Sequence, residues 1–340
     1  MKLLSDLDVS GKRVFLRADL DVPVEPEAVH NKLETEIATR LTNLKSTFNY
    51  LIEKGAFQII IAGHMGRPEG FDLSLSTKQL IEPLGHILNS EITFSKNFEN
   101  KTGAKVVLLE NLRFWEGEIK NDMEFAKKLA SIVDVYVNDA FGNCHREHAS
   151  MVALPSLLPH AAGLHLEKEV SELSKILHSA EKPLISVVGG AKIETKIPVI
   201  ENLVKISDLV LVGGELPVEI KKSNIKLENE NKVLVAGLTS DLKDIDEEST
   251  NRFVEVIKGA KTVVWNGPMG LFEEGFTKGT LGLAKAIIDS GAYSVVGGGD
   301  STQFLEKVGL LSKFSFVSAG GGAMLEFLSG KVLPGIKALE

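Results

Sequence analysis

The sequence predicts an α/β protein made of two doubly wound parallel-sheet lobes joined by a long helix, with a central cleft. Three observations predict it. Apolar runs of strand length alternate with stretches of helical periodicity along the chain. Glycine clusters close several of those runs and open into the next helical stretch, at residues 188–192, 212–214, 265–268, 296–300 and 318–323. One long amphipathic stretch, residues 163–178, stands near the middle of the 340 residues, followed by Pro183 and a new strand-like run. Strand, helix and strand at this spacing imply right-handed crossovers and a mostly parallel, Rossmann-like sheet in each lobe.

The elements follow in order. Residues 13–20, 57–64, 106–111 and 134–140 are β-rich and are expected as strands. Between them, residues 39–54, 77–89 and 122–132 repeat apolar side chains three and four apart and are expected as helices. After the helix at 163–178 a second series is expected, with strands at 184–188 and near 208–212, 232–236, 262–266, 293–297 and 314–318. The expected organisation is a first lobe over 1–162, the joining helix over 163–178, a second lobe over 179–326, and a tail over 327–340 that returns to the first lobe. Residues 221–250 carry the weakest signal, being polar with a single strand-like run.

Composition excludes several classes. Hydrophobic residues make up 44% and charged residues 25%, as in ordinary globular chains. No apolar run approaches the ~20 residues of a membrane helix. The first six residues do not read as a signal peptide, so a cytoplasmic protein is expected. The single Cys144 rules out an internal disulfide framework and fits a reducing compartment. The net charge of −8 argues against general nucleic-acid binding. There is no G-x-x-x-x-G-K-[ST] motif and no G-x-G-x-x-G after a strand, so neither a P-loop nor a dinucleotide site is signalled. His145 and His148 are three apart, but no further metal ligand is recognisable beside them.

The chemistry-bearing residues sit at strand ends. Arg17 and Asp19 close the first expected strand, His64 and Arg67 follow the second, Arg113 the third, and Arg146 and His148 the fourth. Six of the seven arginines precede residue 147. Carboxyl ends of parallel strands share one sheet edge, so these side chains are expected in one cleft, where a guanidinium suits carboxylate and phosphate. For any single arginine the alternative is a surface ion pair. In the second half, Lys192 and Lys196 flank a helix start beside Gly189 and Gly190, where an anion would sit. The alternative is a solvated helix face. Asp300 follows three glycines, Gly297, Gly298 and Gly299, and is either a helix N-cap or a ligand for Mg²⁺ that bridges phosphates. Glu273 is either a ribose contact or a solvated loop carboxylate.

Together these strings resemble the phosphoglycerate kinase family over essentially the whole chain. RADLDVP (17–23) is similar to its RVDFNVP signature, and GHMGRP, LLENLRF, NDAFGNCHREHAS, GGAKIETKIPVIENL, TVVWNGPMGLFE, VVGGGDST, SAGGGAMLE and GKVLPG follow in the family's order. The resemblance implies a first lobe that binds 3-phosphoglycerate or 1,3-bisphosphoglycerate and a second that binds Mg-ADP or Mg-ATP. It also implies a monomer that acts on small molecules and a cleft that closes for direct in-line transfer. It assigns Asp19, Asp21, Arg40, His64, Arg67, Arg113 and Arg146 to the acid substrate, with Arg40 as the transition-state arginine. It assigns Gly190, Lys192, Lys196, Gly213, Asn266, Glu273, Gly298, Gly299, Asp300 and Ser301 to the nucleotide, with Lys192 catalytic and Asp300 at the Mg²⁺ position.

Three departures from the family pattern are visible. Asp21 stands where the family has Asn, Ala319 where it has Thr, and the chain is shorter by several tens of residues around 215–249. The shortening predicts a looser base pocket and weak discrimination between ATP and GTP. Asp21 predicts repulsion of the anionic acid, relieved by Asp21→Asn, unless the carboxylate pairs with Arg17 or Arg40 and orients it. The alternative function is a catalytically weak paralogue that binds phosphorylated acids or nucleotide.

Overall fold

The computed structural model describes all residues except 23–34, 99–102, Lys192, Lys226 and Glu228. Two six-stranded sheets organise it, and every pairing within them is parallel. The first contains β1 (Arg13–Arg17), β2 (Gln58–Ala62), β3 (Thr93–Ser95), β4 (Val106–Leu109), β5 (Val135–Asn138) and β6 (His160–Ala162), in the order β3-β4-β2-β1-β5-β6. The second contains β7 (Leu184–Val188), β8 (Leu209–Val212), β9 (Val233–Val235), β10 (Thr262–Asn266), β11 (Tyr293–Gly297) and β12 (Phe316–Ser318), in the order β12-β11-β10-β7-β8-β9. The α/β fold with two parallel sheets is as the sequence predicts.

The chain divides into two compact units. One comprises Met1–Val170 with Val332–Glu340, the other Ser171–Lys331. The division falls inside the helix Leu164–Ser179. In the first unit the terminal segment is tied back by Lys2 N–H to the Leu339 oxygen (2.8 Å) and Gly335 N–H to the Cys144 oxygen (2.9 Å). Gly335 lets the two segments approach closely, since a Cβ there would crowd the Cys144 backbone at 3.0 Å. Central strands are buried along their length, since helices cover both faces of a parallel sheet. Val14, Leu16, Ile59 and Ile61 anchor the first core; Trp265, Val263 and Phe253 anchor the second.

Three features depart from the expected elements. The stretch 77–89 is a 3-10 turn, Thr77–Leu80, followed by the helix Ile81–Leu88. Pro83 lies in that helix's first turn, where a missing N–H costs nothing, so it marks a start and not an interior. The strands β3 and β6 were not expected. They have three residues each and pair on one side only, too short to show a pattern. The weak region near 221–250 follows a helix, Leu216–Lys222, and includes β9 and the start of the helix Glu247–Lys258, which Asp246 caps through the Ser249 N–H at 2.7 Å.

Candidate active site

In the first unit, basic side chains gather where strands β4, β2, β1 and β5 end. Register explains it: Arg17 lies level with Ala62 on one side and Asn138 on the other, so the loops beyond all three leave from one edge. Arg17 is fully buried. Its Nε donates to Ser150 Oγ (2.9 Å), Nη1 to the Ala18 carbonyl, and Nη2 reaches His64 Nδ1 (3.2 Å). Arg113 donates to the Gly66 carbonyl at 2.6 Å. Burial lowers its guanidinium to about 10, Asp21 opposes that, and the charges of Arg17, Arg146 and Arg67 add to the lowering. Those four arginines therefore share one field. Arg67 and Arg146 are exposed. Arg40, on the helix Thr35–Glu53, donates Nη1 to the Asp21 main-chain oxygen at 2.7 Å.

His64 has a defined proton. Burial lowers it to about 4, against the pull of Asp21, so it is neutral at pH 7. Arginine can only donate, so Nδ1 accepts from Arg17 and the proton sits on Nε2. That N–H faces Asp21 Oδ2 at 3.6 Å. Asp21 Oδ1 accepts the Gly66 N–H at 2.8 Å. Partial burial raises the Asp21 carboxyl, but His64, the Gly66 N–H and Arg40 outweigh it and hold it below the ordinary carboxylate range. Beneath Arg17, buried Glu118 accepts the Ser150 N–H (2.9 Å) and hydroxyl (2.6 Å).

In the second unit, glycine turns interlock at the ends of β7, β8 and β10. Gly189 N–H donates to the Asn266 oxygen (2.9 Å), Gly190 N–H to the Pro268 oxygen (3.0 Å), and Glu215 N–H to the Gly190 oxygen (3.1 Å). Gly213 N–H donates to the Val188 oxygen at 3.0 Å. Asn266 is buried and ties three chain segments: Nδ2 donates to the Gly297 oxygen (2.9 Å) and the Gly321 oxygen (3.3 Å), and Oδ1 accepts from Lys196. Ser301 Oγ accepts the Gly267 N–H at 2.8 Å. Burial lowers Lys196 to about 8 against the pull of Asp300, so it is mostly charged at neutral pH. The helix Gly299–Lys307 has Gly298 at its N-cap, with φ +104 and no side-chain cap. Asp300 is thus an exposed carboxylate in the first turn and not the cap. A cavity of about 160 Å³ opens here, lined by Gly190, Gly214, Leu242, Leu271, Glu273 and Asp300 among others. Lys192 lies outside the described residues.

Comparison with known proteins decides the family. The sequence pattern described as phosphoglycerate kinase matches residues 4–231 and 216–331. The phosphoglycerate kinase of Wolinella succinogenes is 34% identical over 393 aligned positions, spanning 100% of this chain and 97% of the relative. That of Thermosipho africanus is 38% identical, spanning 99% and 97%. Two solved structures also match: the phosphoglycerate kinase of Pyrococcus horikoshii OT3 (TM-score 0.86, 30% identity, 100% of this chain and 98% of that one) and that of Coxiella burnetii (TM-score 0.81, 33%, 100% and 99%). The chain belongs to the phosphoglycerate kinase family.

As a family member it is a kinase, and its two groups of side chains suit phosphoryl transfer, which needs positioning and charge neutralisation more than covalent help. The alignment with the Wolinella relative covers 393 positions for 340 residues here, so that phosphoglycerate kinase has internal segments this chain lacks. Among the described residues no three His, Cys, Asp or Glu side chains cluster as a metal site. Asp300, an exposed carboxylate in the first turn of a helix it does not cap, is a donor of the kind Mg²⁺ takes beside substrate phosphates. No helix among the described residues is long and apolar enough to cross a membrane.

The structure brings Asp21, Arg40, His64 and Arg113 together at one edge, and Lys196, Asn266, Ser301 and Asp300 at the other unit's edge. It also reveals supports that sequence reasoning missed. Ser150 and Glu118 hold Arg17, yet Glu118 sits in a polar stretch, WEGEIKND, that gives no sign of burial.

The contacts of Asp21 favour loosening over tightening for Asp21→Asn. The carboxylate accepts the Gly66 N–H and faces the His64 Nε2–H at 3.6 Å with its other oxygen; an amide that keeps the first contact turns its NH₂ toward that second N–H. The expected result is a rise of roughly fivefold in KM for 3-phosphoglycerate, from a loss of about 1 kcal/mol, with the nucleotide KM unchanged. Steady-state kinetics at two ionic strengths check it; a lower KM in the variant would restore the repulsion account.

Proposed function

We propose that this family member transfers the acyl phosphate of 1,3-bisphosphoglycerate reversibly to Mg-ADP, giving 3-phosphoglycerate and Mg-ATP. The bond between the phosphorus and the carboxyl oxygen breaks. A new bond forms from the same phosphorus to a terminal β-phosphate oxygen of ADP. The observation that carries this is the pairing, in one chain of this family, of a cluster of arginines at one parallel-sheet edge with interlocked glycine turns beside Lys196 and Asp300 at another. The first suits a phosphorylated carboxylic acid and the second a polyphosphate.

On this proposal Arg113, Arg67, Arg146 and the Arg17-oriented His64 bind the acid, with Asp19 and Asp21 beside them. Arg40 faces the transferring group. The turns at Gly190, Gly213, Gly298 and Gly299 cradle the nucleotide, with Glu273 at the ribose. Lys196 and Lys192 add positive charge. Asn266 and Ser301 act by holding those turns in place. Asp300 would hold Mg²⁺, which when bound neutralises phosphate charge. A carboxylate nucleophile is ionised near neutral pH, so the reverse reaction needs no general base. In-line transfer requires the two substrates to meet, and we infer hinge closure that excludes water from the mixed anhydride. The same proposal has the enzyme cytoplasmic and monomeric; light scattering after gel filtration tests the second point.

A coupled assay of ATP formation from 1,3-bisphosphoglycerate and ADP, with GDP in parallel, tests the function; no phosphoryl transfer above background would defeat it. Asp300→Ala is expected to weaken Mg-ADP binding at least about tenfold. Because Asp300 caps no helix, the melting temperature should barely change. Binding of 3-phosphoglycerate should stay as it was. Calorimetric titration of each ligand separately decides this, and equal losses for both would contradict the assignment.

A further inference from the structure

One line of hydrogen bonds crosses the segments at the ends of β4, β5, β1 and β2. It starts at Glu118, a fully buried side chain on the short helix Glu116–Ile119 beyond β4. Glu118 Oε2 accepts the Ser150 N–H (2.9 Å) and Oε1 accepts the Ser150 hydroxyl (2.6 Å). Ser150 follows β5, and its Oγ also meets Arg17 Nε at 2.9 Å. Arg17 ends β1, and its Nη2 reaches Nδ1 of His64, beyond β2, at 3.2 Å. All four side chains are buried.

The direction of each proton in this line is settled. A guanidinium only donates, so Ser150 Oγ accepts from Arg17 and sends its own proton to Glu118. Glu118 accepts with both oxygens, the pattern of an ionised carboxylate. Burial pushes its carboxyl up, and the Arg17 charge is the largest influence against that. The guanidinium is a rigid plane. Ser150 holds its Nε and the Ala18 carbonyl holds Nη1, so the direction of Nη2 follows from the other two.

Tying the loops together does not require this carboxylate. Ala149 N–H donates to the Glu118 main-chain oxygen (2.8 Å), the Tyr136 hydroxyl to the Ser150 carbonyl (2.7 Å), and Ala153 N–H to Asn121 Oδ1 (3.2 Å). A buried charge is costly to keep. What this one adds to those bonds is the orientation of Arg17.

We propose that Glu118 and Ser150 are positioning residues for the acid substrate: by fixing the Arg17 fork they lock the neutral His64 ring as an Nε2–H donor toward that substrate. The Nε2–H faces Asp21 Oδ2 at 3.6 Å, longer than a hydrogen bond, so a closer acceptor would take it. This rests on the assignment of the acid to the first unit.

Ser150→Ala tests the proposal, because it removes the hydroxyl and keeps the Glu118 charge. Calorimetry with 3-phosphoglycerate and, separately, Mg-ADP is paired with ¹⁵N NMR of the His64 ring at pH 7. The wild type should show one tautomer, Nε2–H. Ser150→Ala should show a mixture of tautomers, bind 3-phosphoglycerate about tenfold more weakly and bind Mg-ADP within about twofold of wild type. Ser150→Thr keeps the hydroxyl. It should retain the single tautomer and an acid affinity within about threefold of wild type, whatever its added methyl does to the melting temperature. Glu118→Gln also removes a negative charge near an anion site, which by itself favours anion binding, so it is read by NMR alone and should show the mixture. A Ser150→Ala protein with a lower melting temperature but unchanged acid affinity and a single tautomer would mark a merely structural bond and overturn the proposal. So would an Nδ1–H ring in the wild type, or a loss in Ser150→Thr equal to that in Ser150→Ala. Should Ser150→Ala fail to fold, the Glu118→Gln spectrum decides, and a single tautomer there overturns it. Protein whose tautomer responds as expected but which binds no 3-phosphoglycerate would instead defeat the acid assignment and leave the hold on His64 standing.

Discussion

Arg40→Ala is expected to lower kcat by about a hundred- to a thousandfold, the usual cost of removing one group that meets charge developing in the transition state. Negative charge on the transferring phosphoryl oxygens is redistributed at that moment, and an interaction made only then lowers the barrier without tightening ground-state binding. The KM for nucleotide should therefore stay within about threefold. On the proposed assignment Arg40 is held ready for this task. Its Nη1 donates to the Asp21 main-chain oxygen at 2.7 Å, which fixes the guanidinium against the strand-end loop. The side chain is half-buried and outside the apolar core, so the melting temperature should be nearly unchanged. Arg40→Lys should recover little of the rate, because a point charge does not reproduce the planar fork. A coupled assay checks both variants, and an alanine enzyme within about threefold of the wild-type kcat would remove Arg40 from the catalytic role.

Gly189→Ala should be as damaging to the fold as Arg40→Ala is to the chemistry. A Cβ at residue 189 would lie closer than 3.0 Å to the carbonyl oxygens of Pro268 and Gly267 and to the Met269 methyl. Met269 can rotate away, but the two oxygens belong to backbone that is itself committed. Pro268's oxygen accepts the Gly190 N–H, Gly189's own N–H donates to Asn266, and Asn266 is in register with Val188 across β7 and β10. Making room means separating the two central strand ends. A cost of about 3 kcal/mol or more is expected, near the upper end for a single overpacking change. For a unit of this size that lowers the melting temperature by roughly 6–12 °C. Nucleotide affinity should fall with it, because the phosphate turns are the displaced segments. Gly190→Ala is the control. Its φ of +88° strains an alanine, but the nearest atom to its Cβ is 4.0 Å away, so the loss should be about 1–2 kcal/mol. Equal melting temperatures for the two variants would show that the crossing of the turns is not a packing constraint.

Much of the molecule was legible from neighbours along the chain. Strands at 184–188, 262–266 and 293–297 were expected where the structure has them, because each is a short apolar run closed by glycine, and both signals are local. The basic residues were legible as a group for a related reason. They follow successive strands, and a parallel sheet sends all its carboxyl ends to one edge. The short edge strands β3 and β6 were not, because a three-residue strand is defined by its partner and not by its own pattern.

The sequence alone determined the two-sheet α/β class, the positions of the glycine turns and the family resemblance, since each of these is written in the order and spacing of residues. Only the tertiary structure decided what individual polar groups do. It made Gly298 the cap and left Asp300 outward, put the proton of His64 on Nε2, set Asp21 to accept the Gly66 N–H while facing His64, and set Asn266 and Ser301 to binding the turns together. The physical reason is common to all of these. A hydrogen bond's direction and a side chain's burial depend on what the fold brings within about 3 Å, and those partners lie tens of residues away in the chain.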